Sequence, residues 1–500
     1  MKTTTRRLVL LSLLALFAGP ALRSATPDAP PPGEPPSVPR DRDRDPERAR
    51  PKKDRPRSAS PADNYTHAQA TSDNAQLHTI AFNGLAFLTG DFGASTFIPP
   101  GKVCDFFGFQ YLRDIDAAAK GHNPIFLNRV AGNVLQTLTA EQKGWFTALA
   151  AEQVPQLERL AELRLPLIQA FHWNAEGKLP TGSAGLNRAA VVGHVGAIFA
   201  LDAELSLRRA EVMGKVATSL SPEQKAYLAK MKFGDFTTWP EVDADTLKDR
   251  PGRGQPKLFG VACMTYASEF FSWYAGSEQA DVYFCPERHG TYFGGFYMKD
   301  MPAMGKKNYD ISTAVTGDSG EAFLETILTA AQRMEITATV EKQRAALQEV
   351  VSVRTALSRE LRKALAGGRP DRATVLELGR RYGELDGEMS WYYATAFAAV
   401  GKTLTAEQRA ALMKLRNLDG YVSAPYYLYS DAVRSPKPVA GTAAFFFPPK
   451  SWRAGSPMWS AGLGLLLRLS PLRIRSWLGA RGRRGAPPTR GYARQVWAGG

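Results

Sequence analysis

Cysteine is scarce in this sequence: the 500 residues contain three. A disulfide-dense scaffold is therefore excluded, because such folds replace a large core with several cross-links. Long apolar runs are missing too, and no membrane span is expected, since no stretch reaches the 18 or more apolar residues that one needs. The sequence also lacks Gly-x-Ser-x-Gly, a P-loop, a dinucleotide fingerprint, HExxH and CxxC. These absences favour a binding protein over an enzyme.

Acidic residues are missing from one end of the chain. The formal net charge is +15, but residues 449–500 supply ten basic residues and no acidic one, and residues 1–62 supply 13 basic and seven acidic ones. The stretch 63–448 is therefore close to neutral. Because a nucleic-acid-binding domain needs a basic patch or stripe, no nucleic-acid partner is expected for this central part.

The two ends of the chain differ in composition from its centre. Residues 1–21 combine basic residues, an apolar stretch and small residues at a cleavage position, which predicts a signal peptide and a periplasmic or secreted protein. Residues 22–66 are rich in Pro, Arg and Asp, and predict a disordered tether. Residues 445–500 have no acid and no sustained periodicity, and we interpret them as a disordered or frameshifted tail.

The centre of the chain contains an internal duplication. LDAELS at 201–206 recurs as LDGEMS at 385–390, an offset of 184. LSPEQ at 220–224 recurs as LTAEQ at 404–408 with the same offset and no gap between. Chance does not readily produce several matching segments in the same order, so these matches indicate two copies of one unit.

One repeat extends over 75–250 and the other over 258–433. Each begins with an aromatic segment, punctuated by Gly and Pro, that predicts short strands and turns. Apolar residues at helical spacing predict helices over 139–172, 188–219, 320–366 and 372–403. The sequence thus predicts a mainly α fold: two pseudo-symmetric helical repeats with small aromatic strand and turn caps, in a monomer that forms an internal pseudo-dimer.

The motif Leu-Thr-x-x-Gln recurs at predicted helix starts. It is complete at Thr139 with Gln142 and at Thr405 with Gln408, and Ser221 replaces the threonine in a third copy. A Thr or Ser N-cap followed three residues later by Gln forms a capping box, in which each residue satisfies a backbone N–H of the helix start. The spacing therefore predicts where helices begin.

The motif also resembles the Spy/CpxP family, small exported helical proteins marked by Leu-Thr-x-x-Gln at helix starts. Family members typically carry two such motifs and dimerise into a curved helical cradle. With a degenerate fourth site at 336–340 (ITATV), this duplicated chain would be a covalent version of that dimer. The resemblance covers the helical parts and implies ATP-independent holding of unfolded envelope proteins, a stress-related binding role or, in some members, metal sensing.

The aromatic segments of the two repeats contain candidate ligand-binding residues. Aromatic rings beside one cation suit a cleft that holds a ligand or peptide, and the alternative is that they form the caps' own small core. The residues are Phe107, Tyr111 and Arg113 in the first repeat, and Phe293, Tyr297 and Lys299 in the second.

Glu204 and Glu388 occupy equivalent positions in the Leu-Asp-x-Glu-x-Ser segments. If the repeats face each other, the two carboxylates would meet as an acid/base, metal or ligand-binding pair, and an enzyme site between the repeats would be built on them. The alternative is a structural salt bridge or a hydrogen bond within each repeat.

A metal site is predicted from Cys285, His289, Met298, Met301 and Met304. Soft thiolate and thioether ligands suit Cu(I), so copper is the candidate cofactor of a metal-binding envelope protein, a second hypothesis for the function. The alternative is that these methionines pack against the neighbouring aromatic rings.

The three cysteines allow one disulfide with one thiol left over. Cys263–Cys285 would close a short loop, whereas Cys104–Cys285 would join the equivalent caps, and both pairings stay open. Among the histidines, His194 aligns with Leu378, which predicts a core histidine rather than a metal ligand.

Overall fold

Helices dominate the computed structural model of this protein, as the sequence predicts. The structure describes residues 71–88, 130–232, 238–243, 245–246, 251, 254–255, 257–276, 278–283, 322–416, 426–428, 431–433 and 439–450. Within these ranges, the only sheet is an antiparallel hairpin of two short strands, β1 (Tyr426–Leu428) and β2 (Asp431–Val433).

Seven helices precede residue 300 in the described ranges. They are α1 (Asp73–Leu88), α2 (Gly132–Thr137), α3 (Ala140–Glu176), α4 (Arg188–Ser219), α5 (Pro222–Leu228), α6 (Lys257–Ala275) and α7 (Glu278–Tyr283). The helices predicted over 139–172 and 188–219 correspond to α3 and α4. The strands and turns predicted at the start of each repeat are wrong for its described part, because α1 and α6 are helices there.

The remaining described helices follow residue 320. They are a π-helical turn (Ala322–Ile327), α8 (Ala330–Thr337), α9 (Thr339–Arg362), a 3₁₀ turn (Lys363–Ala366), α10 (Arg372–Thr403), α11 (Ala406–Arg416) and α12 (Thr442–Phe446). The helix predicted over 372–403 is α10, and the one predicted over 320–366 is divided among the π turn, α8, α9 and the 3₁₀ turn.

Local capping chemistry fixes the ends of the long helices. The Asn187 side chain accepts a hydrogen bond from Ala190 N (2.8 Å) at the start of α4, and Asp371 accepts one from Thr374 N (2.8 Å) at the start of α10. α3 ends at Gly177, whose φ of 71° is a left-handed conformation that glycine adopts without strain. These helices therefore begin and end where the sequence supplies the side chain that a helix terminus needs.

The helices pack as two bundles that exchange one helix each. The first bundle consists of α2, α3, α4 and α5 completed by α6, and the second of α8, α9, α10 and α11 completed by α1. The early helix α1 thus packs against helices that lie more than 200 residues later, where Ile80 is buried with Phe323 and Phe397. The later helix α6 packs back onto α3 and α2. Contacts therefore cross the boundary between the predicted repeats 75–250 and 258–433.

α4 and α10 join the two bundles through a close antiparallel crossing. A Cβ added to Gly383 would lie 2.5 Å from the Phe199 Cβ and 2.6 Å from the Val195 carbonyl oxygen. Gly379 faces Ala203 in the same way, at 2.3 Å. The glycines allow the two backbones to approach, and the Phe199 ring packs edge-on against the Tyr382 ring, with 4.9 Å between their centroids.

α4 is also the one described helix that is long and apolar enough to cross a membrane by length and composition. In its most apolar 18-residue window, 67% is buried inside the protein. Its apolar character is therefore explained by its position between α3 and α10.

The segment 439–450 packs against the first bundle. Phe445, Phe446 and Phe447 are all buried, and they join the core cluster formed by α3 and α4. Residues 445–450 of the predicted tail are thus part of the fold. The rest of that tail, like the predicted signal peptide 1–21 and tether 22–66, lies outside the described residues.

Candidate functional site

The Leu-Thr-x-x-Gln motif forms the predicted capping box at the start of α3. Thr139 Oγ1 accepts a hydrogen bond from Gln142 N (3.2 Å), and Gln142 Oε1 accepts one from Thr139 N (2.9 Å). Ser221 and Gln224 repeat this geometry at the start of α5, with distances of 3.2 and 2.9 Å. The prediction of these two helix starts is confirmed.

The two glutamines of the first bundle also bind each other. Gln224 Nε2 donates to Gln142 Oε1 (2.8 Å), and Gln142 Nε2 lies 3.4 Å from Gln224 Oε1. Each Nε2 atom reaches the end of the helix that precedes the partner motif: Gln224 donates to Thr137 O (2.7 Å) and Gln142 to Ser219 Oγ (2.9 Å). We call Gln142, Gln224 and these partners the first glutamine staple.

The second bundle contains the same arrangement between Gln332 and Gln408. Gln408 Nε2 donates to Gln332 Oε1 (2.8 Å) and to Ile327 O (2.9 Å). Gln332 Nε2 in turn donates to Gln408 Oε1 (3.2 Å) and to Thr403 Oγ1 (3.1 Å). We call this set the second glutamine staple.

The fourth motif lies earlier than the sequence prediction placed it. It is complete at Leu328-Thr329-Ala330-Ala331-Gln332, where Thr329 and Gln332 form a capping box at the start of α8. The degenerate segment 336–340 instead forms the junction between α8 and α9. The prediction was wrong because the two glutamines of a staple are 82 residues apart in the first bundle and 76 in the second, so no constant offset aligns both motifs.

The staples position helices, because they satisfy backbone groups that helix ends leave without intrahelical partners. Gln142, Gln224 and Gln332 are all buried. Their amides make reciprocal bonds with little access to solvent. Each staple therefore joins two helix starts and two helix ends at one point.

Glu204 and Glu388 do not form a carboxylate pair. Arg372 Nε donates to Glu204 Oε1 (3.1 Å), and Arg188 forms the reciprocal ion pair with Glu388. Arg188 and Glu204 are 16 residues apart on α4, about 24 Å of helix, so the two ion pairs lie at opposite ends of the α4–α10 crossing. The acid/base or metal pair expected from facing repeats is therefore not formed, and both carboxylates instead bridge α4 to α10.

A buried ion pair that the sequence analysis missed lies inside the first bundle. Arg209 of α4 and Glu269 of α6 are both 0% exposed, with 3.5 Å between Nη1 and Oε1. Gln153 Oε1 accepts hydrogen bonds from Arg209 Nε (3.1 Å) and from the Tyr266 hydroxyl (2.9 Å). The sequence did contain a signal for this ion pair: in each helix, one charged residue occupies a position that the helical spacing of apolar residues assigns to the core.

A second buried polar set links α7 to α9. Arg354 Nε donates to Val282 O (2.8 Å), and its Nη1 donates to the Tyr382 hydroxyl (2.6 Å). Asp281 accepts hydrogen bonds from Ser358 (2.7 Å) and from Arg362 Nε (2.5 Å). Burial raises the pKa of Asp281, while Arg362 acts to lower it. The set ties a short helix to the bundle.

Cys263 is a free, buried thiol in α6, so the proposed Cys263–Cys285 disulfide is not formed. Burial raises the pKa of this thiol to about 12, which keeps it protonated and unreactive at neutral pH. The rival pairing of Cys104 with Cys285 lies outside the described residues.

The predicted ligand and metal sites lie almost wholly outside the described residues. Of these sites, the structure describes Glu204 and Glu388 alone. Within the described ranges, no group of three His, Cys, Asp or Glu side chains is placed to hold a metal ion. The copper site and the aromatic cleft stay predictions. The residues concerned are Phe107, Tyr111, Arg113, Phe293, Tyr297, Lys299, Cys285, His289, Met298, Met301 and Met304.

Comparison with known proteins adds no relative: no family model matches the chain, and neither a curated protein nor a solved structure is significantly similar to it. The resemblance to the Spy/CpxP family therefore stays a prediction from the sequence motifs.

Proposed function

We propose that this chain is an exported holding protein, built from two fused Spy/CpxP-like repeats, that binds unfolded or envelope proteins without ATP. The observation that carries the proposal is the pair of glutamine staples. In both bundles the motif glutamines cap their own helix, bind each other and bind the end of the partner's preceding helix. A motif that served only to start a helix would need the first of these three contacts and neither of the other two.

Reciprocal contacts support the tandem arrangement. Arg188 and Arg372 have the same offset of 184 as Glu204 and Glu388, and each arginine binds the glutamate of the other helix. Such a pattern is expected where two copies of one unit meet across an approximate two-fold axis, because each contact then occurs twice.

The exposed apolar side chains favour the second bundle as the binding face. Three large apolar residues are exposed among those described: Met334 (67%), Met413 (48%) and Leu179 (36%). Met334 lies on α8 and Met413 on α11, the two helices that the second staple joins. Flexible, polarizable methionine side chains suit surfaces that bind many different apolar sequences.

An aggregation assay tests this proposal. The full chain is mixed, without ATP, with a chemically denatured, reduced client protein diluted into buffer, and light scattering is recorded. We expect suppression at near-stoichiometric ratios, and a several-fold weaker effect for Met334→Gln/Met413→Gln because the apolar contacts are lost.

Leu179→Gln is the matched control, since it removes an exposed apolar side chain from the loop after α3. It should retain the suppression of the unaltered chain. The proposal is contradicted if the full chain gives no suppression at tenfold excess, or if the double methionine variant, folded by circular dichroism, is as effective as the control.

A further inference from the structure

The segment 439–450, which we call the latch, binds the first bundle much as a peptide ligand would. Its backbone pairs with the loop that follows α3: Asn187 N donates to Phe446 O (2.8 Å), and Lys450 N donates to Gly182 O (3.0 Å). An isolated antiparallel bridge joins Ser183 to Pro449. Extended pairing of this kind supplies affinity through main-chain hydrogen bonds, independent of sequence.

Three consecutive phenylalanines anchor the latch in an aromatic groove between α3 and α4. The Phe447 ring lies 6.3 Å from that of Trp173 on α3. The Phe445 and Phe446 rings lie 6.1 and 5.5 Å from the imidazole of His194 on α4. We define the aromatic groove by Trp173, His194 and the loop 182–187.

His194 is a titratable side chain that the Phe445 and Phe446 rings contact in the groove. It is fully buried, and its Nε2 donates to Leu163 O (2.6 Å). Its Nδ1 is buried without a hydrogen-bond partner. The neutral ring fits this site, whereas a proton on Nδ1 would place an unsatisfied N–H and a charge against two phenyl rings.

The charged groups around His194 do not stabilise a protonated imidazole. On α3 the charged group acting on the ring is Arg159, which opposes protonation, and the latch itself carries Lys450. On α10, Glu384 faces Gly196 on another side of α4 and is already paired with Arg380. Burial, with a smaller contribution from Arg159 and against the hydrogen bond to Leu163, lowers the pKa of His194 from 6.5 to about 4.

We propose that the latch is an acid-released plug: protonation of His194 frees segment 439–450 and opens the aromatic groove to short, aromatic-rich segments of unfolded protein. The occupant is inferred from the latch: its phenylalanines, at the end of the short helix α12, show which side chains the groove accepts. This inference adds a second binding site to the proposed holding function, separate from Met334 and Met413, and rests on that function for the identity of the external ligand.

The direction of the pH effect follows from the two states of His194. In the closed state the pKa is about 4. Once release exposes the imidazole to solvent its pKa would return to the ordinary value of 6.5, so the open state would bind more protons between these limits. The closed state is therefore stable at pH 7 and loses stability as the pH falls from about 6.5 to 4. The open-to-closed ratio should rise about a hundredfold over this interval.

Hydrogen exchange of the full chain tests the release. The amides of Phe445 and Phe447 donate to Gly441 O and Ala443 O, both at 2.9 Å, and report on the latch. After correction for the intrinsic rate, their protection should fall about a hundredfold between pH 7 and pH 4 in the unaltered chain. It should fall less than threefold in His194→Leu, which copies the residue that aligns with it at Leu378.

A second variant tests whether a packing defect, rather than the loss of the titrating group, explains the result for His194→Leu. His194→Gln keeps a side-chain donor for Leu163 O without a group that titrates, and it should also hold the latch closed at pH 4. The inference is overturned if both variants lose protection as the unaltered chain does, or if the unaltered chain keeps its protection at pH 4.

The exposed groove is tested separately with Phe446→Ala, which should open the latch at pH 7. This variant should bind a fluorescent peptide containing Phe-Phe-Phe at least tenfold more tightly than the unaltered chain does at pH 7. Equal binding would refute the groove as a peptide site. Because exchange is measured without a client, failure of the holding function in the aggregation assay would leave the exchange result unchanged.

Discussion

The first bundle holds an ion pair at its centre, and the second holds uncharged side chains at the corresponding level. In the first, Arg209 and Glu269 are both inaccessible to solvent. In the second, Tyr393 stands 184 residues after Arg209 and is buried, and Gln343 donates to Gln76 Oε1 (3.0 Å) across the bundle. The staples at the ends of the bundles nevertheless make matching hydrogen bonds.

The contrast shows that the hydrogen-bonding groups of a helix end restrict the choice of side chain more than the core of a bundle does. A helix end always presents the same unsatisfied N–H and C=O groups, so the side chain that satisfies them has few replacements. A core demands volume and paired polar groups, which an ion pair, a tyrosine or two glutamines can all supply. The staples therefore match while the cores differ.

The largest expected effect comes from breaking the buried ion pair. Glu269→Gln removes the counter-charge of Arg209 in a site without water access, and should lower the free energy of unfolding by about 3–5 kcal/mol. Urea denaturation at pH 7 measures the change.

The matched control removes both charges and takes its tyrosine from position 393, which aligns with Arg209. Arg209→Tyr/Glu269→Asn carries no buried charge and should recover more than half of the loss, because replacing both partners of a buried pair costs less than removing one. If the double variant is as unstable as Glu269→Gln, the two cores are not interchangeable at this level.

A smaller effect is expected at the crossing of α4 and α10. Gly383→Ala places a methyl group against Phe199 and the Val195 carbonyl oxygen, and should lower the free energy of unfolding by about 2 kcal/mol. Gly193→Ala on α4 is the control: its Cβ would meet nothing within 4 Å. It should raise stability by about 0.5–1 kcal/mol through helix propensity. Equal effects of both changes would mean that the crossing is not closely packed.

The sequence predicted helix starts that depend on neighbouring residues, but it did not predict the helices α1 and α6. The starts of α3 and α5 could be predicted because the N-cap and its glutamine are three residues apart. The pairing of Gln142 with Gln224 could not, since it joins residues 82 positions apart and depends on how the helices return. The fourth motif at 328–332 was visible in the sequence, but the unequal spacing of the motifs hid its correspondence.

The candidate site shows the same limit. Glu204 and Glu388 are equivalent in sequence, but equivalence predicts contact only near the centre of an antiparallel crossing. Away from that centre the equivalent positions move apart, which is why each glutamate meets an arginine instead. The exchange of α1 and α6 between the bundles likewise could not be predicted from their own residues, because an apolar helix could be buried in either bundle.

The central claim is that each pair of motif glutamines acts as one unit, in both bundles alike. Double-mutant cycles with Gln142→Ala and Gln224→Ala, and with Gln332→Ala and Gln408→Ala, measure this coupling in the free energy of unfolding. We expect about 1–2 kcal/mol of coupling in each bundle, because removing either glutamine already breaks the shared hydrogen bonds. Additive effects in either bundle would contradict the claim, since the motifs there would only cap their own helices.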